Sequence, residues 1–231
     1  VWTDDIERLM AGRGTLTDQE PELASVTAEL TVTVGVGRRV VEVVGAQVPA
    51  WLAPLPAFSI DRLQPRWSGG DLLPQICATS PTTVAHAQRR LLAGAAGLAS
   101  VRWVQRGFRE PHEGPGVPMR NLFGQVDGTV QPDVAGLDAD LLWSADAGPT
   151  WLRGGSSVVV RRIEMDLDGW DRVDRLSREN SIGRRLATGA PVTGGGLDTA
   201  PDLEAVDGLG FHVVDDAAHI RRAHASAPHE R

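Results

Sequence analysis

The sequence is short of the residues that form disulfide frameworks, cysteine-based metal sites and nucleic-acid surfaces. Cys77 is the only cysteine among 231 residues, which excludes an intrachain disulfide and a cysteine-based zinc cluster. Lysine is absent, and the 23 basic residues, all arginine, are outnumbered by 30 acidic ones. A chain with a formal net charge of -7 lacks the basic face that neutralises phosphates, so we expect no nucleic-acid partner.

Long apolar runs are also missing. No stretch approaches the roughly 20 apolar residues that a membrane-spanning helix needs, and we expect no membrane partner. No signal peptide is recognisable at the start of the sequence, so the location stays open between the cytoplasm and export. The length suits one large domain or two small ones, and it is compatible with a homo-oligomer.

Apolar periodicity predicts an α+β protein with antiparallel sheet. The first segment repeats apolar residues at helical spacing and predicts a helix face made of Trp2, Ile6, Leu9 and Met10. The alternation in ELTVTVGVG, residues 29–37, predicts a half-buried strand. Further strands are predicted at 71–78, 99–110, 154–167 and 210–216, the third with a buried valine run. Further helices are predicted at 80–97 and 168–183, the second with Trp170, Val173 and Leu176 turned inward.

The stretch NLFGQVDGTVQP, residues 121–132, places Asp127 between two glycines. An Asp-Gly pair is a common tight turn, because glycine adopts positive φ freely and aspartate bonds to its own backbone. Short turn signals of this kind have many structural uses. Two interpretations therefore stay open for Asp127, a structural turn residue or a carboxylate with a chemical role.

Six histidines are present, but none has the spacing of a metal-binding or hydrolytic motif. No H-E-x-x-H, G-x-S-x-G or Walker pattern occurs, which argues against a zinc hydrolase, a serine hydrolase and a nucleotide-binding enzyme. On a helix, His219 and His224 would lie about 140° apart around the axis, so they cannot bind one metal ion from one face. At most one of them is a single axial ligand, as on the proximal side of a haem. Two solvated or capping histidines are the other interpretation.

Three segments together resemble the dye-decolourising (DyP-type) haem peroxidases. NLFGQVDGTVQP is similar to the family's G-x-x-D-G signature with its asparagine–leucine lead-in. WLRGGSSVVVRRIEMDLDGWDR with IGRRLATGAPVTGG resembles the strand, helix and loop that follow it in the exported and actinobacterial branch. DAAHIRRAHA resembles the segment with the proximal histidine, and LTVTVGVG and VRWVQRGF fit the first half. The resemblance covers nearly the whole chain in the right order.

The resemblance implies two fused ferredoxin-like α+β halves, here 1–120 and 121–231, with haem b held in the second. By position, Asp127 is the distal acid–base residue and His219 is the axial iron ligand. The other residues implied to lie along the haem are Gly128, Thr129, Val130, His224, Ala225 and Ser226. The glycines beside Asp127 would then let the backbone approach a flat cofactor closely, with the carboxylate presented to the open iron face.

The resemblance also implies a haem-dependent peroxidase that reduces hydrogen peroxide and oxidises bulky organic donors such as dyes or phenolics. A carboxylate within reach of peroxide can act first as general base and then as general acid. The alternative is a non-enzymatic haem-binding or haem-transfer protein on the same fold, and a third hypothesis is a cofactor-free interaction domain. Candidates for relaying electrons from a bulky donor are Trp103, Trp143, Trp151 and Trp170.

Two elements that the family leads us to expect are missing from this sequence. They are a first strand before the N-terminal helix and a distal arginine beyond the proximal histidine. The sequence therefore looks cut at both ends, and we expect no arginine within 1–231 beside Asp127. Members of this branch are often exported by the twin-arginine route, but this chain contains no such signal.

Overall fold

The computed structural model describes residues 2–109, 118–128, 142–144 and 148–223. The chain divides into two compact units. The first contains Val1–Arg106 and Asp140–Val160, and the second contains Gly107–Ala139 and Arg161–Arg231. Among the described residues, no helix is both long enough and apolar enough to cross a membrane.

The first unit contains a two-stranded antiparallel sheet. Strand β1, Thr31–Val36, pairs with strand β2, Leu72–Cys77, and the register places Thr31 opposite Cys77. The strands predicted at 29–37 and 71–78 are confirmed, but Val34 and Val36 are 43% and 40% exposed, so the predicted half-buried face of β1 is incomplete. Pro74 lies inside β2, which fits an edge strand because an edge leaves part of its backbone unpaired.

Helices in the described part of the first unit include α1, Trp2–Met10, α2, Arg38–Val43, and α3, Pro81–Gly94. The start of α3 is the predicted one, because Ser80 Oγ accepts a hydrogen bond from the Thr83 N–H and Pro81 occupies the first turn. Short 3₁₀ turns lie at Pro21–Ala24, Pro65–Trp67 and Thr150–Leu152. The predicted helices at the start of the chain and at 80–97 are confirmed.

The apolar core of the first unit lies where α1 and α3 pack together. Its buried side chains are Leu9, Ala24, Leu30, Ala87 and Leu91. Trp2 and Ile6 pack against this cluster, and Trp2 Nε1 donates a hydrogen bond to the Leu91 carbonyl at 2.8 Å. The predicted apolar face of α1 is therefore confirmed, except that Met10 is 42% exposed.

A buried ion pair fastens the loop around Asp18 to α3. The Asp18 side chain is inaccessible to solvent, and its Oδ2 lies 3.0 Å from Nε2 of His86. Burial alone would raise the pKa of Asp18, but hydrogen bonds from the Glu20 N–H and His86, with the charge of Arg90, outweigh burial and lower it. The first unit thus keeps one charged cluster inside an otherwise apolar interior.

Among its described residues, the second unit combines a short hairpin with three helices. Strand β3, Met119–Arg120, pairs antiparallel with strand β4, Val126–Asp127. The helices are α4, Leu167–Asp171, α5, Arg175–Ile182, and α6, His219–Arg222. Antiparallel strands beside helices in both units confirm the predicted α+β class.

The single helix predicted over 168–183 is in fact two helices, α4 and α5. Asp174 starts the second one, because its Oδ1 accepts a hydrogen bond from the Ser177 N–H at 3.0 Å. Trp170 and Val173 are half-buried, but Leu176 is 60% exposed. The predicted inward position of Leu176 is wrong because the break at Asp174 interrupts the helical period on which it was based.

Two predicted strands are not present in the described residues. Residues 101–109 and 155–166 have no strand structure, and the valines at 158–160 are 54–66% exposed instead of buried. A strand is stabilised by hydrogen bonds to a partner strand, and none of the described segments pairs with either one. The strand predicted at 210–216 is reduced to one bridge, between Val206 and His212.

Candidate functional site

The segment that carries Asp127 is the hairpin made by β3 and β4. Its turn closes through two backbone hydrogen bonds, from the Asn121 N–H to the Gln125 carbonyl and from the Gly124 N–H to the Asn121 carbonyl, both 2.9 Å. Gly124 has φ of +79°, a conformation that glycine adopts without steric cost. Asp127 therefore lies at the end of β4, opposite Met119, and outside the turn itself.

Both carboxylate oxygens of Asp127 accept a hydrogen bond. Oδ2 accepts from Nδ2 of Asn121 at 3.3 Å, and Oδ1 accepts from the Gly128 N–H at 2.7 Å. Gly128 has φ of +77°, so the chain bends sharply directly after the carboxylate. The carboxylate is exposed to solvent but held in place by these two donors.

A cavity of about 250 Å³ opens at Asp127. Its described lining is Arg109, Met119, Asn121, Asp127 and Gly128. The expectation that no arginine of this chain lies beside the Asp127 carboxylate stays a prediction, but Arg109 in the lining of its cavity was not foreseen. The sequence could not reveal it, because Arg109 precedes Asp127 by 18 residues and belongs to a segment predicted as a strand.

Arg120 attaches the hairpin to the loop at 184–190. Its Nη1 donates to the carbonyls of Gly124 at 2.8 Å and Leu186 at 2.6 Å, and its Nη2 donates to the Ala187 carbonyl at 3.1 Å. A guanidinium is suited to this role because its donors form a rigid, planar fork. One side chain thus fixes the hairpin against a loop more than 60 residues away in sequence.

Trp170 holds the same hairpin from α4. Its Nε1 donates a hydrogen bond to the Phe123 carbonyl at 3.0 Å, and the two rings lie 4.9 Å apart at 55°. Tilted aromatic pairs at this separation stabilise a contact beyond the area that they bury. Arg120 and Trp170 therefore both hold the hairpin that carries Asp127.

Glu179 in turn fixes the loop that Arg120 contacts. Its side chain is 7% exposed and accepts hydrogen bonds from Arg185 Nη1 at 3.0 Å, the Leu186 N–H at 2.9 Å and Arg175 Nε at 3.2 Å. Burial alone would raise the pKa of Glu179, but these three donors outweigh burial and lower it. The carboxylate therefore favours the folded loop when it is ionised.

We expect Glu179→Gln to destabilise the second unit by about 2 kcal/mol at pH 7, since hydrogen bonds to charged groups contribute about 1.5–3 kcal/mol. Because the pKa of Glu179 is lower in the folded protein than its ordinary value of 4.5, its ionisation stabilises the folded state above pH 4.5. This stabilisation is lost as the pH falls through the pKa of the folded state. The difference between wild type and variant should therefore shrink below pH 4.5. The hydrogen-exchange rate of the Leu186 amide, which donates to Glu179, measures this difference in stability.

Glu42→Gln is the matched control for this experiment. Glu42 pairs with Arg38 at 2.7 Å, but both side chains are about half exposed. An exposed pair of this kind contributes about 0–1 kcal/mol, and Leu186 should not respond to its loss. Equal exchange rates at Leu186 in wild type and Glu179→Gln would contradict the prediction.

His219 is the first residue of α6 and is exposed. Across the described ranges, no side chain or backbone group is hydrogen-bonded to its imidazole. The short helix is nevertheless anchored, because Arg221 Nη2 donates to the carbonyls of Leu203 and Val214, and Ala218 is fully buried. Ile220 packs so closely on Gly183 that no side chain could be placed there.

The structure thus describes three of the eight residues predicted for the acid–base and haem site. Asp127 and Gly128 line the cavity, whereas His219 is not part of its described lining. That Asp127 and His219 face one cavity from opposite sides stays a prediction. The other five predicted site residues lie outside the described residues: Thr129, Val130, His224, Ala225 and Ser226.

The donor set of the second unit fits a haem. Within the described part of the chain, no group of three or more His, Cys, Asp and Glu residues could hold a metal ion. An iron held by a porphyrin needs only one protein nitrogen, and His219 offers an imidazole with no hydrogen-bonded partner among those residues. Gly128, without a side chain, lines the wall of the Asp127 cavity.

Comparison with known proteins identifies the family of the chain. The family model "Dyp-type peroxidase, N-terminal" matches residues 1–109, and "Dyp-type peroxidase, C-terminal" matches residues 118–231. The chain belongs to the DyP-type peroxidase family. The predicted ferredoxin-like α+β halves are the fold of this family, and the small antiparallel sheets of the two units match them.

The relatives include solved and curated proteins. A DyP-type peroxidase from Cellulomonas bogoriensis is 55% identical with a TM-score of 0.93, over 98% of this chain and 64% of that one. Ferric DtpA from Streptomyces lividans is 40% identical with a TM-score of 0.87, over 95% and 62%. A dye-decolorizing peroxidase from Thermobifida fusca is 42% identical over 85% of this DyP-family chain and 48% of that protein. A deferrochelatase from Escherichia coli K12 is 35% identical over 84% and 48%. The chain spans about half the length of the curated relatives it matches.

Proposed function

We propose that this DyP-family chain is the haem-carrying part of a peroxidase that reduces hydrogen peroxide and oxidises bulky organic donors such as dyes or phenolics. The observation that carries the proposal is the Asp127 carboxylate, held by two donors at the wall of a cavity. The organisation proposed with it is a first ferredoxin-like half at 1–120 and a haem-binding half at 121–231.

His219 is the proposed iron ligand. Its exposed imidazole stands on a helix anchored by Arg221, and a fixed helix keeps the ligand nitrogen in one direction. Gly128 with Thr129 and Val130 lies along one side of the proposed haem b, and His224, Ala225 and Ser226 follow its edge. When bound, the haem supplies the iron centre at which peroxide is reduced and from which the organic donor is oxidised.

Asp127 is the proposed acid–base residue. Its carboxylate would accept a proton from one oxygen of hydrogen peroxide and return it to the other, which would leave as water. An ionised carboxylate has about four acceptor sites, and Asn121 and Gly128 occupy only two of them. The remaining sites are available to take up the proton.

Arg109 adds positive charge to the wall of the same cavity. Cleavage of the O–O bond builds negative charge on the leaving oxygen, and a fixed cation or donor near such charge contributes about 10²–10³-fold in rate. We propose this stabilising role for Arg109 because it is the arginine in the described lining of the cavity.

Electron transfer from a donor too large for the cavity requires a route through the protein. Of the four candidate tryptophans, Trp170 contacts the hairpin that carries Asp127. Trp143 and Trp151 are 48% and 41% exposed, and Trp103 donates a hydrogen bond to the Gly69 carbonyl. We propose Trp170 as the first of them to test for relay.

The test is the absorption spectrum of the purified protein loaded with haem, before and after hydrogen peroxide. A peroxidase is expected to show a Soret band that changes within the mixing time and returns when a dye is oxidised. A Soret band that peroxide changes only slowly would favour the haem-transfer alternative, and no band at all would exclude both. The greater identity to the peroxidase, 42% against 35% for the deferrochelatase, favours the first outcome.

A further inference from the structure

Asn121 makes two kinds of contact at once in the Asp127 hairpin. Its Oδ1 accepts hydrogen bonds from the backbone N–H groups of Phe123 at 3.0 Å and Gln125 at 3.3 Å. Its Nδ2 donates to Oδ2 of Asp127 at 3.3 Å. The side chain therefore connects the turn of the hairpin with the carboxylate at its end.

The orientation of the Asn121 amide follows from the turn. If the amide were flipped, its NH₂ group would face two backbone donors and its oxygen would face a carboxylate. Both contacts would then be repulsive, so the turn leaves one orientation, with Nδ2 toward Asp127. The geometry of residues 121–125 thus dictates where a hydrogen-bond donor meets the carboxylate.

We propose that Asn121 is a positioning residue, which holds the Asp127 carboxylate in one orientation at the cavity. This inference deepens the proposed function and rests on it. Asn121 holds Oδ2 while the Gly128 N–H holds Oδ1, so the plane of the carboxylate is fixed at both oxygens. A misplacement of about 1 Å of a reacting group can cost about 10²-fold in rate, which makes such fixation effective.

The turn alone does not require an asparagine. An aspartate at 121 would accept the same two backbone hydrogen bonds, because side chains of both types form this kind of turn. Only the contact with Asp127 needs the NH₂ group. The two roles of Asn121 can therefore be separated by one substitution that keeps the acceptor and removes the donor.

Asn121→Asp is that substitution. It keeps an oxygen for the N–H groups of Phe123 and Gln125 and places a second negative charge against Asp127, which should turn the carboxylate away. We expect the rate with hydrogen peroxide to fall by about tenfold to 10²-fold. The KM for the organic donor should stay unchanged, because a donor too large for the cavity would not enter the space that Asn121 lines.

Hydrogen exchange of single backbone amides provides a readout that does not depend on turnover. In Asn121→Asp, the Gly128 amide should exchange about tenfold faster, because its acceptor on Asp127 is displaced. The amides of Phe123 and Gln125 should exchange as in wild type. If the exchange pattern appears but the protein never reacts with peroxide, the positioning role stands and the proposed peroxidase function fails.

Asn180→Asp is the matched control, since it makes the same change of charge at an exposed position of α5 in the same unit. It should alter neither the rate nor the exchange at Gly128. Asn121→Ser is a second variant in case Asn121→Asp does not fold, because a serine can accept from the turn but is too short to reach Asp127. Faster exchange at Phe123 and Gln125 that matches the loss of rate would show a turn-forming role only and overturn the proposal. An unchanged Gly128 amide in both variants would also overturn it.

Discussion

Asp127→Asn is expected to leave haem bound and to slow the reaction with hydrogen peroxide by about 10²–10⁴-fold, the usual contribution of a general acid–base group. The amide has the shape of the carboxylate, and its oxygen can still accept from the Gly128 N–H, which bonds to Oδ1 in the wild type. It cannot accept a proton from peroxide at neutral pH. Stopped-flow absorbance of the Soret band after mixing with peroxide measures the rate.

Asp168→Asn is the control for this variant. It removes one negative charge from the same unit, at an exposed position in α4. Its reaction with peroxide should equal that of the wild type, which separates the proton chemistry from a general change of charge. An unchanged rate in Asp127→Asn would mean that another group, with Arg109 the first to test, carries the reaction.

His219→Ala is expected to release haem or to bind it at least about 100-fold more weakly. Removing a residue that is hydrogen-bonded to a metal ligand already lowers metal affinity by about 10–100-fold. Removing the ligand itself should lower the affinity at least as much. Added imidazole should restore part of the Soret band, because it replaces the missing nitrogen at the iron. Titration of the purified variant with haem, with and without imidazole, measures both effects.

Two histidines serve as controls for His219. His212 is already occupied by Asp216, whose carboxylate lies 2.7 Å from its Nδ1, so His212→Ala should retain haem. His224→Ala should weaken haem binding far less than His219→Ala, because a haem iron needs one protein nitrogen and the proposal assigns that role to His219. Equal loss of the Soret band in His219→Ala and His224→Ala would refute the assignment of the ligand.

The elements that could be predicted from the sequence are those whose signals are local. The apolar face of α1, the strand β1 and the Ser80–Pro81 start of α3 all have signals within one element, and all appear in the structure. The segments at 99–110 and 154–167 have equally apolar residues but form no strand in the described residues. Strand formation depends on a partner distant in the chain, which a local pattern cannot specify.

The sequence by itself supplied the candidate groups of the proposed site: the carboxylate of Asp127 between two glycines and, through the family resemblance, His219 as the candidate ligand. Tertiary structure alone decided what surrounds them. It placed Arg109 at the cavity, aimed the Asn121 amide at Asp127, and joined Arg120 to the carbonyls of Leu186 and Ala187. These contacts depend on three-dimensional hydrogen-bond geometry between chain segments, and that geometry has no signature in residue type or spacing.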